Sequence, residues 1–255
     1  MASTWAAEAL SDDAFLGGRL RLLQPRAGFR SGMDAMLLAA SVPARPGESA
    51  LELGCGAGAA ILALGARIPG LALAGLELQP GYAALARENA SRNGLALEVI
   101  EGDVAAPPRD LHARLFDHVL LNPPFFDRAA STPAQDAGRD LAHAGATPLA
   151  AWLGLAARRL RPGGRLVLIQ RVARLPDVLA ALPGTMGSVE VLPLAPRMGR
   201  PSASLLLRAR KGGRAQFRLL VPFTLHASRR HERDGEDLSA AFAAVLRDGA
   251  ALPWA

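Results

Sequence analysis

Glu52-Leu53-Gly54-Cys55-Gly56-Ala57-Gly58 is the stretch from which the rest of the chain can be read. An apolar run, Ala50 to Leu53, leads into it, and a helical pattern, Ala59 to Arg67, leads out, so the glycines lie on a turn between a strand and a helix. In an open α/β sheet that turn is where a nucleotide-type ligand meets the fold. Side chains at Gly54 or Gly56 would occupy the ligand's space, and the unpaired N–H groups of the following helix attract a carboxylate.

Outward from the turn the same alternation repeats. Further strands are expected at Leu71 to Leu76, Leu97 to Ile100, His118 to Leu121, Leu166 to Ile169, Val189 to Leu194 and Leu205 to Arg210. Helices are expected at Pro80 to Asn93, stopped by Gly94, at Pro148 to Leu160, ended by Pro162-Gly163-Gly164, and near Leu175 to Leu182. The pattern predicts an α/β fold with a seven-stranded, doubly wound sheet. Ahead of it, Phe15 to Leu23 around Gly17-Gly18 reads as a hairpin and Met33 to Ala40 as a short helix. The expected organisation is an N-terminal cap over residues 1–48, packed on a core domain over residues 49–255. Asp127 to Thr147 is long, polar and aperiodic, which suits a functional loop. Arg229 to Asp237 is a charge run, more often a solvated loop than a binding site.

The 255 residues are 50% hydrophobic and 20% charged, a globular balance. Glu8, Asp12 and Asp13 speak against a secretory signal near the start, and no uncharged apolar run approaches the length of a membrane span. With Cys55 alone there is neither a disulfide nor a cysteine-rich zinc site. The expectation is a cytoplasmic chain without membrane or metal, monomeric by default. The formal charge of +6 favours a polyanion such as RNA. Of the 29 basic residues all but Lys211 are arginine, a bias that genome composition explains equally well.

Two carboxylates accompany the turn. Glu77 ends the second strand of the sheet, where such folds hold a ribose's hydroxyls, and Asp103 follows the third, where a carboxylate can accept from an adenine amino group. Gly54, Gly56 and Ala59 also fit a loose dinucleotide fingerprint, but Glu52 stands where that fingerprint is usually apolar. The arrangement instead resembles motif I of the class I, Rossmann-like, S-adenosylmethionine-dependent methyltransferases. The resemblance implies S-adenosylmethionine as cofactor, S-adenosylhomocysteine as its product, Glu52 near the methionine amino group and Glu77 at the ribose. Cys55 is then a small turn residue.

Asn122-Pro123-Pro124-Phe125 directly follows the fourth strand. As a bare tetrapeptide it is a proline-rich turn; on this strand of this fold it reads as a catalytic element. An exocyclic amine conjugated to a ring is a poor nucleophile. The Asn122 oxygen and the Pro123 carbonyl can each accept one of its hydrogens and stabilise the positive charge that arrives with a methyl group. Pro123 and Pro124 stiffen the turn, and Phe125 can stack on a base.

Asp13 to Leu20, Gly28 to Leu38, the glycine turn, Asn122 to Phe126 and Leu160 to Arg165 together resemble the methyltransferases that modify N6 of an adenine beside the anticodon of a valine tRNA. Phe125 stands where tyrosine is common, keeping the stacking face. The resemblance implies a tRNA substrate and makes Asp34 a cofactor candidate, beside Glu52, Gly54, Gly56, Glu77, Asp103 and Asn122; a helix-start carboxylate is an equal reading of Asp34. Two alternatives stand beside it. One is a protein glutamine N5-methyltransferase, since those enzymes share the fold and an Asn-Pro-Pro-aromatic motif. The other is a non-catalytic cofactor- or RNA-binding module. Arg197, Arg200, Arg208, Arg210, Lys211, Arg214 and Arg218 could track phosphates, while Arg128, Arg139 and His143 lie on the loop after the tetrapeptide.

Overall fold

The computed structural model describes residues 5–124, 147–228 and 237–254. The chain opens on an antiparallel hairpin, β1 (Leu10–Phe15) and β2 (Leu20–Pro25), followed by helix α1 (Met33–Ser41). The alternating core comes next: β3 (Ser49–Leu53), α2 (Ala59–Arg67), β4 (Ala72–Glu77), α3 (Pro80–Arg92), β5 (Leu97–Glu101), α4 (Arg109–His112), β6 (Phe116–Leu121), α5 (Leu149–Arg159), β7 (Leu160–Arg171), α6 (Leu175–Ala181), β8 (Met186–Ala195) and β9 (Ser204–Lys211). Two short strands, β10 (Arg218–Leu219) and β11 (Phe223–Thr224), precede helix α7 (Ala240–Asp248).

The sheet runs β10-β8-β9-β7-β6-β3-β4-β5, with β11 also on β8. Pairings from β5 across to β7 are parallel, and β9 lies antiparallel between β7 and β8. From β3 the chain winds outward to β5, then crosses back to β6 on the other side of β3. The crevice at the carboxyl ends of β3 and β6 is therefore the topological switch point, where open α/β sheets bind ligands. The central strands bear buried residues on both faces, as a helix-covered parallel sheet requires. Leu38, Ile61, Leu64 and Phe242 fill the core on one face, and Leu153, Ala156 and Val178 fill it on the other.

All seven expected strands are present, and β10 and β11 extend the sheet beyond them. Two local expectations shift. The first arm of the hairpin begins at Leu10 and takes in the acidic Ser11-Asp12-Asp13 run. Pro162-Gly163-Gly164 lies within β7, where the pairing with β6 shifts register between Phe116 and His118.

Side-chain amides fasten the hairpin to the core. Asn89 on α3 and Asn93, which caps its C-terminus one turn later, grip β2: Arg21 N donates to Asn93 Oδ1 at 2.9 Å and Leu23 N to Asn89 Oδ1 at 2.7 Å. Asn89 Nδ2 in turn donates to Leu23 O and to Ala57 O of the glycine turn, each at 3.0 Å. Leu20 and Leu22 share a core cluster with α2, so the packing is continuous across residue 48. Arg208 closes the far side. Its Nε donates to Ser41 O at 2.8 Å and its guanidinium lies 3.8 Å over the Trp254 ring. Burial lowers its pKa to about 9. Among the described residues no helix is long and apolar enough to cross a membrane.

Candidate active site

The glycine turn hangs from β4: Gly54 N and Cys55 N both donate to Leu76 O, at 2.8 and 3.1 Å. Gly54 and Gly56 have φ of +67° and +55°, left-handed values that side chains resist. The neighbour of Gly54 differs from the sequence expectation. A Cβ there would lie 2.8 Å from the Trp152 ring of α5, so the protein's own indole, rather than a ligand, fills that space. A Cβ at Gly56 would meet only Phe29, at an ordinary 3.8 Å, and there the backbone conformation is what demands glycine.

Glu52 and Glu77 brace the turn. Glu52, 4% exposed, accepts from Ile61 N at 2.9 Å, capping α2 from within the sheet. Glu77, 6% exposed, accepts from Gly56 N at 2.8 Å and Gln79 N at 2.9 Å. Burial pushes both carboxyls above the ordinary range, and the nearby charge of Glu77 raises Glu52 further. Two buried carboxylates beside one turn favour a cationic ligand and oppose a diphosphate. Asp103 is half-buried just past β5, where its Oδ1 accepts from Ala105 N at 2.8 Å. Cys55 is 3% exposed, and burial pushes its thiol well up, which suits a packing role.

Register aligns the turn with the tetrapeptide. Leu53 pairs with Leu121 and with Leu76, so Asn122, Gly54 and Glu77 succeed one another in that order along the same rim, each about 4.8 Å, one strand spacing, from the next. Asn122 Oδ1 is buried and has no hydrogen-bond partner among the described residues. Pro123 is buried and Pro124 exposed. Phe125, Arg128, Arg139 and His143 lie outside the described residues, as does most of the charge run. Its last residue, Asp237, accepts from the Ser228 hydroxyl and from Arg197, and both hold its carboxyl low.

Asp34 stands apart from this row. It sits in the first turn of α1, with burial raising its pKa and Arg171 at the end of β7 opposing that rise. The basic cluster is largely committed to the fold. Besides Arg208 and Arg197, Arg210 donates to Gly163 O at 3.2 Å, Lys211 to Leu160 O at 2.7 Å, and Arg218 pairs with Glu190 at 2.9 Å. Arg200 and Arg214 remain exposed. Three side chains at the site escaped the sequence reading: Trp152, Asn89 and Phe29. Phe29 is 46% exposed beside Gly56, and its carbonyl accepts from Tyr82 Oη at 3.0 Å. An aromatic three residues past the helix-opening Pro148-Leu149 pair was the available sign of Trp152; nothing in the sequence marks the partners of Asn89.

The model of the methyltransferase small domain family matches residues 31–193. The tRNA1(Val) (adenine(37)-N6)-methyltransferase of Porphyromonas gingivalis is 31% identical over 175 residues, covering 65% of this chain and 68% of the relative. Its namesake from Dickeya chrysanthemi is 27% identical over 249 residues, covering 94% and 95%. The release factor glutamine methyltransferase of Deinococcus radiodurans is 35% identical over 153 residues, covering 56% and 52%. Among solved structures, a predicted O-methyltransferase from Agrobacterium tumefaciens superposes with a TM-score of 0.69 at 26% identity, covering 86% of this chain and 98% of its own.

Proposed function

The chain belongs to the methyltransferase small domain family of S-adenosylmethionine-dependent class I enzymes, and from that premise we propose that it methylates the N6 amine of an adenine in RNA, in a tRNA beside the anticodon. The observation that carries the reading is the buried Asn122 Oδ1 at the switch point, which has no hydrogen-bond partner among the described residues. An acceptor left in that state costs about 1–3 kcal/mol, and a substrate N–H group offsets the cost. The likeness, over 94% of the chain, to a relative named for adenine 37 of tRNA1(Val) supports adenine as the donor of that N–H, as does the net charge of +6.

The residues fit the cofactor. Glu77 is the group to hold ribose hydroxyls, Asp103 an adenine amino group, and the buried Glu52 lies nearest the methionine amino group. When bound, S-adenosylmethionine supplies an electrophilic methyl group and becomes S-adenosylhomocysteine. Asn122 Oδ1 and the Pro123 carbonyl each accept one hydrogen of the amine, orienting its lone pair and stabilising the charge that develops on nitrogen. Pro124 fixes the turn on which both stand. Phe125 is the aromatic placed to stack on the base.

Mass spectrometry of nucleosides from cellular RNA with and without the gene tests the reading: N6-methyladenosine should vanish from one tRNA fraction. Because a glutamine side chain also presents a planar NH2 and a glutamine methyltransferase is among the relatives, methyl label appearing on protein glutamine would transfer the same mechanism to the second substrate.

A further inference from the structure

Asp34 and Met33 serve neither the glycine turn nor Asn122. With Leu37, Leu194, Ser204 and Leu225 they line a cavity of ≈ 100 Å³. Strand register locates it. Leu121 pairs with Leu168, which sets Asn122 beside Ile169; Arg171, two residues on, pairs with Ser204 of β9, and Ser204 pairs with Leu194 of β8. The cavity therefore lies on the same edge of the sheet as Asn122, two to three strands away, about 10–14 Å at the usual strand spacing.

Its chemistry is selective. Three leucines and the half-exposed Met33 make apolar walls, and the Asp34 carboxylate and Ser204 hydroxyl supply acceptors. A phosphate entering there would meet a carboxylate, whereas a flat ring bearing N–H groups would bury its faces and give its hydrogens to Asp34. Burial raises the pKa of Asp34 while Arg171 opposes the rise, so the carboxylate has lost part of its hydration and gains from a new donor. We propose that this cavity receives a nucleobase that neighbours the adenine presented to Asn122 in a single-stranded RNA segment, with Asp34 accepting from its N–H groups. The inference rests on the RNA reading above and moves Asp34 from the cofactor to the substrate.

The experiment uses hairpin RNAs whose loop carries a methylatable adenine, each neighbouring loop base being made abasic in turn. RNA affinity is read by fluorescence anisotropy at saturating S-adenosylhomocysteine, and the affinity for S-adenosylhomocysteine by calorimetry. One abasic position should weaken binding to the wild-type protein about tenfold or more. Asp34→Asn, and Ala203→Trp, which fills the cavity from an exposed position, should lose a similar factor on intact RNA. Neither should lose it again on the abasic RNA, since one contact cannot be removed twice. The proposal is overturned if Asp34→Asn weakens S-adenosylhomocysteine as much as RNA, or if both variants keep the wild-type discrimination between intact and abasic RNA. Wild-type protein that binds no hairpin overturns the RNA reading itself. A glutamine peptide bound instead, and blocked by Ala203→Trp, assigns the cavity to a polypeptide and removes the nucleobase.

Discussion

Glu52 and Glu77 near the ends of the neighbouring strands β3 and β4, and Asn122 just past β6 on the other side of β3, all bring buried polar atoms to the rim, yet they are treated differently. The two carboxylates already accept N–H groups from Ile61, Gly56 and Gln79, while the Asn122 oxygen accepts none among the described residues. The carboxylates hold the backbone of the glycine turn and of the start of α2, so that half of the rim is shaped before anything binds. The Asn122 oxygen stays open to a donor among the described residues. One half of the rim is thus satisfied within the fold, whereas the other holds an acceptor without a donor among the described residues.

Asn122→Ala probes the open half and has the largest expected effect. Turnover should fall about 10²–10³-fold, roughly 3–4 kcal/mol of transition-state stabilisation, with the calorimetric affinity for S-adenosylhomocysteine nearly unchanged. A variant that folds, binds cofactor and turns over at the wild-type rate would reduce Asn122 to a turn residue. Glu77→Ala reverses the pattern: cofactor affinity should weaken by about 1.5–3 kcal/mol. Equal binding by the variant would show that its two backbone bonds are all that Glu77 provides.

Gly54→Ala sharpens the contrast on stability instead of ligand binding. A left-handed alanine whose Cβ is set 2.8 Å from the Trp152 ring should cost about 1–2 kcal/mol from the backbone alone. The urea midpoint of the cofactor-free protein measures it, and an unchanged midpoint would mean that the turn relaxes freely. The smallest effect is on pH. Glu52 and Glu77 have raised pKa values in the folded state, so that state binds their protons more tightly than the unfolded chain does. Their contribution to stability is full below the ordinary carboxylate range and is lost as pH rises through the raised values. Cationic S-adenosylmethionine favours the ionised pair, so its thermal stabilisation should grow as pH rises through the raised carboxyl values, by about 2–4 °C per kcal/mol. A shift independent of pH would remove the electrostatic account.

What the sequence disclosed, and what it hid, follows the same division. Helix α2 is legible because Gly58 and the apolar pattern bound it, and the strand ends carrying Glu77 and Asn122 lie beside turn residues that cannot continue a ladder. The first arm of the hairpin was concealed by Ser11-Asp12-Asp13, since a strand with a polar outer face shows little periodicity. Helix α7 was overlooked although Ser239 Oγ accepts from Phe242 N at 3.2 Å and Gly249 follows it at φ +61°; serine before and glycine after an alanine-rich run are readable capping signals. The arginines misled for a deeper reason. Nothing local distinguishes Arg208, wedged between Ser41 and Trp254, from Arg200 on the surface, because the partners of a long side chain are set by tertiary structure.

One amide on α3 has a consequence for ligand linkage. Asn89 grips Leu23 of the hairpin and Ala57 of the glycine turn with the same Nδ2 atom, so the two segments share a structural restraint. Coupling of that kind is reciprocal. If cofactor binding at the turn slows the local opening of the hairpin by some factor, then whatever clasps the hairpin must raise cofactor affinity by that factor as well. The N-terminal strands are in this sense a second handle on the cofactor, turned from the opposite side of α3.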